Sequence, residues 1–327
     1  ADPDLIHKAA EDRLEEVRRY IGSLNCLSRL FRDLPYTCTM NPALGHEVEP
    51  EYQVTPAAVK KKVMVIGAGP AGMECAITAK KRGHDVTVFD KAGRIGGNLY
   101  AYAINDLARP DDLLSVISHY EAVAKKLGIE VRLNTEVHAK FMRSVLHQYD
   151  VCVIAAGASI DRGRHAHVKG AERMLDALDV AHGRVKAGQR VVVVGGGKIG
   201  LTLAEALRKH QGAEVTVIEP AKRIAGDVKP SFKWRHASWV EELGIACLTS
   251  TTLAEVGADG VRVRNAKGEE SFVPADTVIQ ADGVAPAHPL FHEFEWMVDE
   301  LHGVGDAVIP RGLEQAIQEG FRLGVRL

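Results

Sequence analysis

Two stretches of the chain share one order of apolar, glycine-rich and polar positions. In the first, an apolar run at 63–66 leads into a glycine-rich segment at 67–72 and then into helical spacing up to about Arg82. A second apolar run, Asp85–Phe89, ends at Asp90. Short apolar runs bounded by turn residues are typical of buried strands, and longer amphipathic spacing is typical of helices. The pattern predicts a strand, a glycine turn, a helix, a second strand and an acid.

The same order returns in the second half of the chain. An apolar run at 191–194 leads into glycine-rich residues 195–200, a helix to about His210, and an apolar run at 214–218 that ends at Glu219. This repetition is an internal duplication of one unit and not a solenoid of short repeats. Strands alternate with helices through most of the chain, so the predicted class is α/β with parallel sheets.

The remaining segments are less regular. Apolar residues at helical spacing predict an amphipathic helix over 5–21, and the prolines of 25–55 predict a wrapping loop or linker. Short strands joined by hairpin turns are expected over 253–273. The end of the chain reads as a turn at Gly305–Ala307 followed by a closing helix over 313–323.

The two glycine turns are the candidate phosphate-binding sites. In a strand-to-helix turn, the first glycine permits a tight backbone path, the second lets the main chain approach a pyrophosphate, and the third lets the helix pack on the strand. The helix N-terminus then offers N–H groups to the phosphates. An acid about 20 residues on accepts hydrogen bonds from the adenosine ribose, and Asp90 and Glu219 end the next strand in each unit. A lone match could be a turn that merely tolerates glycine, but here the strand, helix and acid accompany it twice.

Glu219 bears on the choice of coenzyme. A carboxylate that receives the ribose 2′-hydroxyl repels a 2′-phosphate, so NADH is favoured over NADPH. Lys222 and Arg223 follow closely and either soften this discrimination or form a solvated basic loop.

The composition of the chain narrows the kinds of protein that it can be. Hydrophobic residues make up 46% and charged residues 26%, and Lys+Arg total 41 against Asp+Glu 43. This balance offers no cationic field for nucleic acid, and no apolar stretch reaches the 18 residues of a membrane span. Five cysteines are too few and too scattered for a disulfide framework, so a cytoplasmic location is expected.

The two units resemble those of flavoprotein reductases with a glutathione-reductase-like FAD/NAD(P) fold, in which the first domain holds FAD and the second NAD(P)H. Four further segments are similar: the Gly-Gly segment at 94–99, the strand at 149–158 with Ala156 where Thr is usual, the strand at 275–283, and the late motif at 304–307. The resemblance implies an NAD domain inserted in the FAD domain. The expected limits are 1–60 for an N-terminal helix and linker, 61–160 with 281–327 for the FAD (or ADP) domain, and 161–280 for the NAD(H) domain.

The resemblance also implies a set of cofactor-binding residues. The set is Gly67, Gly69, Pro70, Ala71, Gly72, Asp90, Lys91, Gly97, Asn98, Leu99, Ala156, Gly157, Gly195, Gly197, Lys198, Ile199, Gly200, Glu219, Gly283, Gly305 and Asp306. Residues around Gly67 and Asp306 would hold FAD, and residues from Gly195 to Glu219 would hold NADH. No side chain is assigned as acid, base or nucleophile, because both redox steps belong to the cofactors.

The N-terminal segment is similar to the 2,4-dienoyl-CoA reductase and trimethylamine dehydrogenase family. The similarity lies in residues 1–19, the pairs Ile21-Gly22 and Asn25-Cys26, and the segment 38–42 with Gly45 and Glu47. Members join an FMN-bearing (β/α)8 barrel of the old yellow enzyme type to such a reductase half. The sequence begins about where the last barrel helix would be, so the barrel is expected to be absent from this chain.

Family members also hold a 4Fe–4S cluster by four cysteines between the two halves. The matching positions here are Tyr20, Ser23, Cys26 and Cys38. Two of four thiolates are missing, and such a cluster normally takes four. No cluster and no other metal is therefore expected. Dithiol chemistry is not expected either, because the nearest cysteine pair, Cys26 and Cys38, lies outside both nucleotide units.

The resemblance leads to an NADH-dependent FAD oxidoreductase subunit that passes electrons to a partner protein or a small acceptor. The expected partner is a separate FMN-barrel or other electron-transfer subunit that docks near residues 1–60 in a hetero-oligomer. The alternative is a non-catalytic ADP- or FAD-binding subunit of an amine-dehydrogenase-like complex, and a third possibility is a fragment of a longer chain. Two smaller expectations concern a basic run at 162–169, taken as a solvated linker face, and Glu74, taken as a packing position.

Overall fold

The computed structural model describes residues 2–105, 109–287 and 290–327. The chain divides into two compact units. Unit 1 contains the described residues up to Leu99 together with Asp111–Ala158 and Ala285–Leu327, and unit 2 contains Tyr100–Pro110 and Ser159–Val284.

Unit 1 is built on a five-stranded sheet. In the order of the sheet its strands are β15 (Leu301–Gly303), β4 (Val151–Ile154), β1 (Lys62–Ile66), β2 (Asp85–Phe89) and β3 (Glu130–Arg132), numbered along the chain. All four pairings are parallel. Strands β1 and β4 are apolar at successive positions because a parallel sheet covered by helices is buried on both faces.

Helices surround this sheet. Those with at least part of their length in unit 1 are α1 (Leu5–Ala10), α2 (Asn25–Leu30), α3 (Pro70–Lys81), α4 (Leu99–Tyr102), α5 (Pro110–Leu127), α6 (Ala139–Val145), α10 (Leu290–Phe294) and α11 (Leu313–Arg326). Helix α11 lies directly on α3, since a Cβ added at Gly320 would overlap the carbonyl of Ala71 and one at Gly324 would come within 2.6 Å of the Thr78 Cβ. Glycines at these two positions therefore permit backbone contact between the helices.

The prediction of one helix over 5–21 is wrong. Helix α1 ends at Ala10, and only a short 3₁₀ turn, Leu14–Glu16, follows. Asp12 has a φ of 53°, which interrupts the helix, and the backbone N–H of Arg18 donates to the carboxylate of Asp2 (2.8 Å). The segment thus folds back on itself. The predicted linker over 25–55 is mostly irregular but contains α2 and a 3₁₀ turn at Pro50–Tyr52.

A buried ion pair connects this segment to the glycine-turn helix of unit 1. The Arg18 guanidinium donates to both carboxylate oxygens of Glu74 (2.7 and 3.1 Å) and to the carbonyl of Met40 (2.7 Å). The hydroxyl of Tyr120 donates to the same carboxylate (3.2 Å), and Glu74 is fully buried. Glu74 is therefore the anchor of an ion pair and not an apolar packing position.

His119, beside Tyr120 on α5, predicts an acid-sensitive stability. The residue is 4% exposed, and both ring nitrogens lack a hydrogen-bond partner within the described part of the chain. Burial, with the nearby Arg18 charge, lowers its pKa from 6.5 to about 4. The unfolded chain binds a proton more readily between these pH values, so the contribution of the neutral ring is present above pH 6.5 and lost on acidification to pH 4. We expect His119→Phe to remove about 3 kcal/mol of this pH-dependent loss, measured by urea unfolding from pH 7 to pH 4.

The exposed His292 supplies the control, because its side chain is 82% exposed. We expect His292→Phe to leave the pH profile of stability unchanged. An equally steep profile in the His119→Phe variant would contradict the assignment.

Unit 2 repeats the sheet of unit 1. In sheet order its strands are β6 (Leu175–Asp176), β13 (Thr277–Gln280), β7 (Arg190–Val194), β8 (Glu214–Glu219) and β9 (Ala246–Thr249). These pairings are also parallel. In both sheets the strand before the glycine turn is central and the strand that ends in the acid is its neighbour. The helices of this unit are α7 (Ala177–Ala181), α8 (Lys198–Gln211) and α9 (Pro230–Glu242).

An antiparallel sheet covers one face of the second parallel sheet. Its strands are β10 (Thr251–Val256), β11 (Gly260–Asn265) and β12 (Glu270–Pro274), as the hairpin turns predict. Val261 and Val263 pack there in one core with Val192 and Ile218. A further two-stranded sheet joins β5 (Ala158–Ile160) and β14 (Val284–Pro286). Within the described ranges, none of the helices has the length and apolar character needed to cross a bilayer.

Candidate dinucleotide-binding sites

The first glycine turn lies between β1 and α3. Gly67 has a φ of +114°, and a Cβ added there would overlap the carbonyl of Ala155 at the end of β4. A Cβ at Gly72 would overlap the carbonyl of Gly67. Both positions therefore require glycine for the fold itself. Pro70 and Ala71 form the first turn of α3, and Pro at that position is tolerated because the first helical N–H groups have no partner within the helix.

Asp90 is joined to this turn by two backbone hydrogen bonds. Its Oδ2 accepts from the N–H of Ala68 (2.6 Å) and its Oδ1 from the N–H of Ala92 (2.7 Å). The acid is thereby held at the carboxyl end of β2 beside the turn. Each carboxylate oxygen has a second lone pair, so the group can still accept hydrogen bonds from a ribose. Lys91, the next residue, is exposed.

A second glycine pair faces the turn. The N–H of Gly96 donates to the carbonyl of Ala68 (2.9 Å), and a Cβ at Gly97 would lie 3.2 Å from the Gly69 Cα. Gly69 itself has an ordinary φ of −76°, and a Cβ there would meet only the Gly97 Cα at 4.0 Å. The space beside Gly69 is therefore open. A pyrophosphate needs such an open space to approach the main chain closely.

Four other residues expected at the first site follow Gly97 or strand β4 in the chain. The side-chain amide of Asn98 donates to the carbonyl of Ala158 (3.0 Å), and Leu99 is buried. Ala156 and Gly157 come after β4 and Ala155, and both are half-buried.

The late motif reaches the same helix. A Cβ added at Gly305 would lie 2.7 Å from the Ala71 Cβ, so the turn contacts the start of α3. The Asp306 carboxylate accepts from the N–H groups of Arg311 and Gly312 (2.9 and 3.1 Å). Sequence reasoning missed Glu319 on α11, which accepts from the Gly305 N–H (2.9 Å) and fixes this turn. No local motif marks it, because its partner is 14 residues away.

The second glycine turn lies between β7 and α8. Gly195 has a φ of +112°, and a Cβ at Gly200 would overlap its carbonyl. Ile199 and Gly200 are buried in α8, whereas Lys198 is exposed. The Lys198 ammonium lies 4.6 Å from the centre of the Tyr102 ring.

Glu219 repeats the bonds of Asp90. Its Oε2 accepts from the N–H of Gly196 (2.7 Å) and its Oε1 from the N–H of Ala221 (2.8 Å). The N–H of Ala225 donates to the carbonyl of Gly196 (2.7 Å), as Gly96 does in the first unit. The structural duplication therefore extends at least six residues past each acid, to Gly96 and Ala225.

Two residues further along, the two sites differ. Asn98 stands there in the first unit and Asp227 in the second. The Asp227 carboxylate accepts from the Lys198 N–H (2.8 Å), the first amide of α8. Asp227 therefore occupies an N–H group that a pyrophosphate would use at a helix N-terminus, and a pyrophosphate would have to displace that carboxylate.

Two of the four positions that match the family's cluster ligands carry a tyrosine and a serine in place of cysteine. Ser23 is hydrogen-bonded through its hydroxyl to Thr39 (3.0 Å), and Cys26 and Cys38 are half-buried free thiols. Within residues 2–105, 109–287 and 290–327, no group of three or more His, Cys, Asp or Glu is placed to hold a metal ion.

The chain was compared with known proteins. The family described as pyridine nucleotide-disulphide oxidoreductase matches residues 61–304. The metal reductase of Desulforamulus reducens is 31% identical and the NADH oxidase of Thermoanaerobacter brockii 33% identical; the alignments cover 100% and 99% of this chain but only 52% and 50% of those proteins. The structure of a 2-naphthoyl-CoA reductase complex matches with a TM-score of 0.94 at 35% identity, over 100% of this chain and 49% of that one.

These matches confirm the predicted fold class and the predicted resemblance to the reductase half of the 2,4-dienoyl-CoA reductase and trimethylamine dehydrogenase type. Thioredoxin reductase of T. acidophilum, at 19% identity and a TM-score of 0.60, shares the fold over 81% of the chain. The chain spans about half the length of the curated relatives it matches. With the family match over most of the sequence and two glycine turns of one design, the chain belongs to the pyridine nucleotide-disulphide oxidoreductase family of flavin-dependent enzymes.

Proposed function

We propose that the chain is an NADH-dependent FAD oxidoreductase subunit that passes electrons to a partner protein or a small acceptor. The proposal rests on the duplicated site: a glycine turn with its acid, at Gly67–Gly72 with Asp90 (the first cradle) and at Gly195–Gly200 with Glu219 (the second cradle). In each unit the acid after the second strand accepts one hydrogen bond from the glycine turn and one from its own loop. The family binds FAD and NAD(P)H, and one such cradle is available for each.

In the first cradle, the residues present fit FAD. The open backbone at Gly69 and Gly97 admits the pyrophosphate, Asp90 accepts from the adenosine ribose, and Asp306 lies on a turn that contacts the start of α3. These residues would hold FAD, which would supply the hydride-accepting and electron-transferring chemistry. The protein groups bind and orient it.

In the second cradle, Glu219 selects the coenzyme. Its carboxylate is fixed by two N–H groups and keeps lone pairs for the ribose hydroxyls. It would repel a 2′-phosphate, which supports NADH over NADPH. Lys222 and Arg223 are exposed on the following loop and weaken that repulsion only in part, because exposed charges are screened by salt.

One observation favours the alternative of a non-catalytic ADP- or FAD-binding subunit. Asp227 occupies the Lys198 amide in the second cradle, so a pyrophosphate meets a carboxylate there. The intact Glu219 geometry favours the catalytic version, since a site that no longer bound NADH would not need the acid to be held in place.

The proposed partner is a barrel-type flavoprotein that docks on the N-terminal segment. Large apolar side chains are unusually exposed there: Ile6 is 80%, Phe31 82% and Val48 87% exposed. Exposed apolar side chains concentrated in one segment are typical of an interaction surface. The relatives are about twice as long as this chain, which supports a partner of similar size.

Anaerobic titration of the purified protein with NADH tests the proposal. We expect visible flavin absorbance that bleaches on addition of NADH, and bleaches more slowly with NADPH. A colourless protein that retains ADP would instead support the non-catalytic subunit. Flavin that stays oxidised in excess NADH would contradict electron entry through the second cradle.

A further inference from the structure

Three charged or polar side chains form a cluster in unit 2 outside the glycine motif. The Asp282 carboxylate accepts from the Nε of Arg164 (2.8 Å) through Oδ2 and lies 2.8 Å from the Nε2 of His165 through Oδ1. The side chains of His165 and Asp282 are 13% and 17% exposed, and that of Arg164 is 53% exposed. The run at 162–169, expected to be a solvated linker face, is therefore in part an organised cluster.

The cluster adjoins the second glycine turn. A Cβ added at Gly195 would lie 2.8 Å from the Asp282 Cβ, and one at Gly283 would lie 2.5 Å from the Arg164 Cδ. Asp282 follows β13, which pairs with β7 on the side opposite β8. Glu219, at the end of β8, lies on the other side of the turn.

This placement decides which part of a dinucleotide the cluster faces. Dinucleotides bind outside the carboxyl ends of the strands, with the adenosine ribose at the acid and the pyrophosphate at the turn. Because Glu219 takes the adenosine side, the remaining half of the coenzyme extends toward β13. The groups next to Gly195 on that side are those of Asp282 and its two partners.

Backbone hydrogen bonds hold the segment that carries Arg164. The N–H of Asp161 donates to the carbonyl of Gly283 (2.8 Å), and the side-chain amide of Gln280 donates to the carbonyl of Asp161 (2.8 Å). The Asp161 carboxylate in turn accepts from the Gly163 N–H (2.8 Å). The start of the 3₁₀ helix Arg162–His165 is thereby tied to the loop after β13.

The charges of the cluster suit a phosphate only when the arginine is present. An unpaired Asp282 beside the turn would repel a pyrophosphate. Arg164 offsets that charge through Nε, and its two Nη groups make no hydrogen bond to the described residues. A guanidinium that is held by a carboxylate on one edge offers its remaining N–H groups to phosphate oxygens.

We propose that Arg164 binds the nicotinamide-side phosphate of NADH, and that Asp282 and His165 are positioning residues that hold the guanidinium at the turn. This inference rests on the proposed function, because it assigns a residue to the same NADH site. It predicts that the cluster discriminates between coenzyme fragments with one phosphate and with two.

Binding of NADH, ADP-ribose and 5′-AMP to the FAD-loaded protein tests the assignment by calorimetry. We expect Arg164→Ala to weaken the binding of NADH and of ADP-ribose by about tenfold to a hundredfold. The affinity for 5′-AMP should not change, since 5′-AMP lacks the second phosphate. Asp282→Asn should weaken the same two ligands less, because it loosens the guanidinium without removing it. Arg162→Ala, in the same run and of the same charge, is the matched control and should change none of the three.

The outcomes separate the two proposals. Equal weakening of 5′-AMP and ADP-ribose by Arg164→Ala, or no weakening of either, would overturn the role of Arg164 while the NADH site stands. Unmodified protein that binds neither NADH nor ADP-ribose would overturn the proposed function, and this inference with it. Flavin content equal to that of the unmodified protein shows that each variant is folded.

Discussion

Gly69→Ala is expected to give a folded protein that has lost its flavin. The backbone at Gly69 has a φ of −76°, and a Cβ there would meet only the Gly97 Cα at 4.0 Å, so the fold accepts alanine. The added methyl group would instead fill the space that the FAD pyrophosphate needs. We expect FAD affinity to fall by about a hundredfold or more, equivalent to about 2.8 kcal/mol. Flavin absorbance after reconstitution with excess FAD, with urea unfolding of the apoprotein, measures both parts.

Gly197→Ala is the equivalent substitution in the second cradle. A Cβ at Gly197 would meet the exposed Asp227 carboxylate at 3.0 Å, and that side chain can move. We expect Gly197→Ala to retain its flavin and to lose NADH bleaching. Gly257→Ala serves as the control, because its Cβ would make only an ordinary 3.4 Å contact with the Gly260 carbonyl in a hairpin. Loss of flavin in Gly197→Ala, or full flavin in Gly69→Ala, would contradict the assignment of FAD to the first cradle and NADH to the second.

Arg18→Met is expected to destabilise the protein by about 3–5 kcal/mol. The substitution removes the cation from Glu74, whose side chain is fully buried, and leaves a carboxylate supported only by the Tyr120 hydroxyl among the described contacts. An unpaired buried charge costs more than the pair contributes. Urea unfolding of the apoprotein at pH 7 measures the change in unfolding free energy.

A double variant and a surface control make the result specific. Arg18→Met combined with Glu74→Gln removes the charge as well as its partner, and we expect it to be less destabilising than Arg18→Met alone. Lys60→Ala breaks an exposed ion pair with Asp85, whose two side chains are 61% and 53% exposed, and should change stability by less than about 0.5 kcal/mol. A cost for Arg18→Met no larger than that of Lys60→Ala would show that Glu74 does not need the cation.

Sequence reasoning performed best where the interactions are local. Both glycine turns, the helices after them and the acids Asp90 and Glu219 lie where the pattern predicts. It performed worst at the N-terminus, where helical spacing over 5–21 gives a helix only at Leu5–Ala10. The spacing does not predict the fold here because Arg18 forms an ion pair with Glu74, which is 56 residues away in the sequence.

The sequence by itself determined the two strand–turn–helix–strand–acid units, because tight turns, buried strands and the spacing of an acid depend on neighbours along the chain. Tertiary structure alone decided which distant groups complete them. Arg164 meets Asp282 across 118 residues, and Asp227 reaches the Lys198 amide across 29. These contacts depend on strand order and loop packing, and no periodicity or spacing records them.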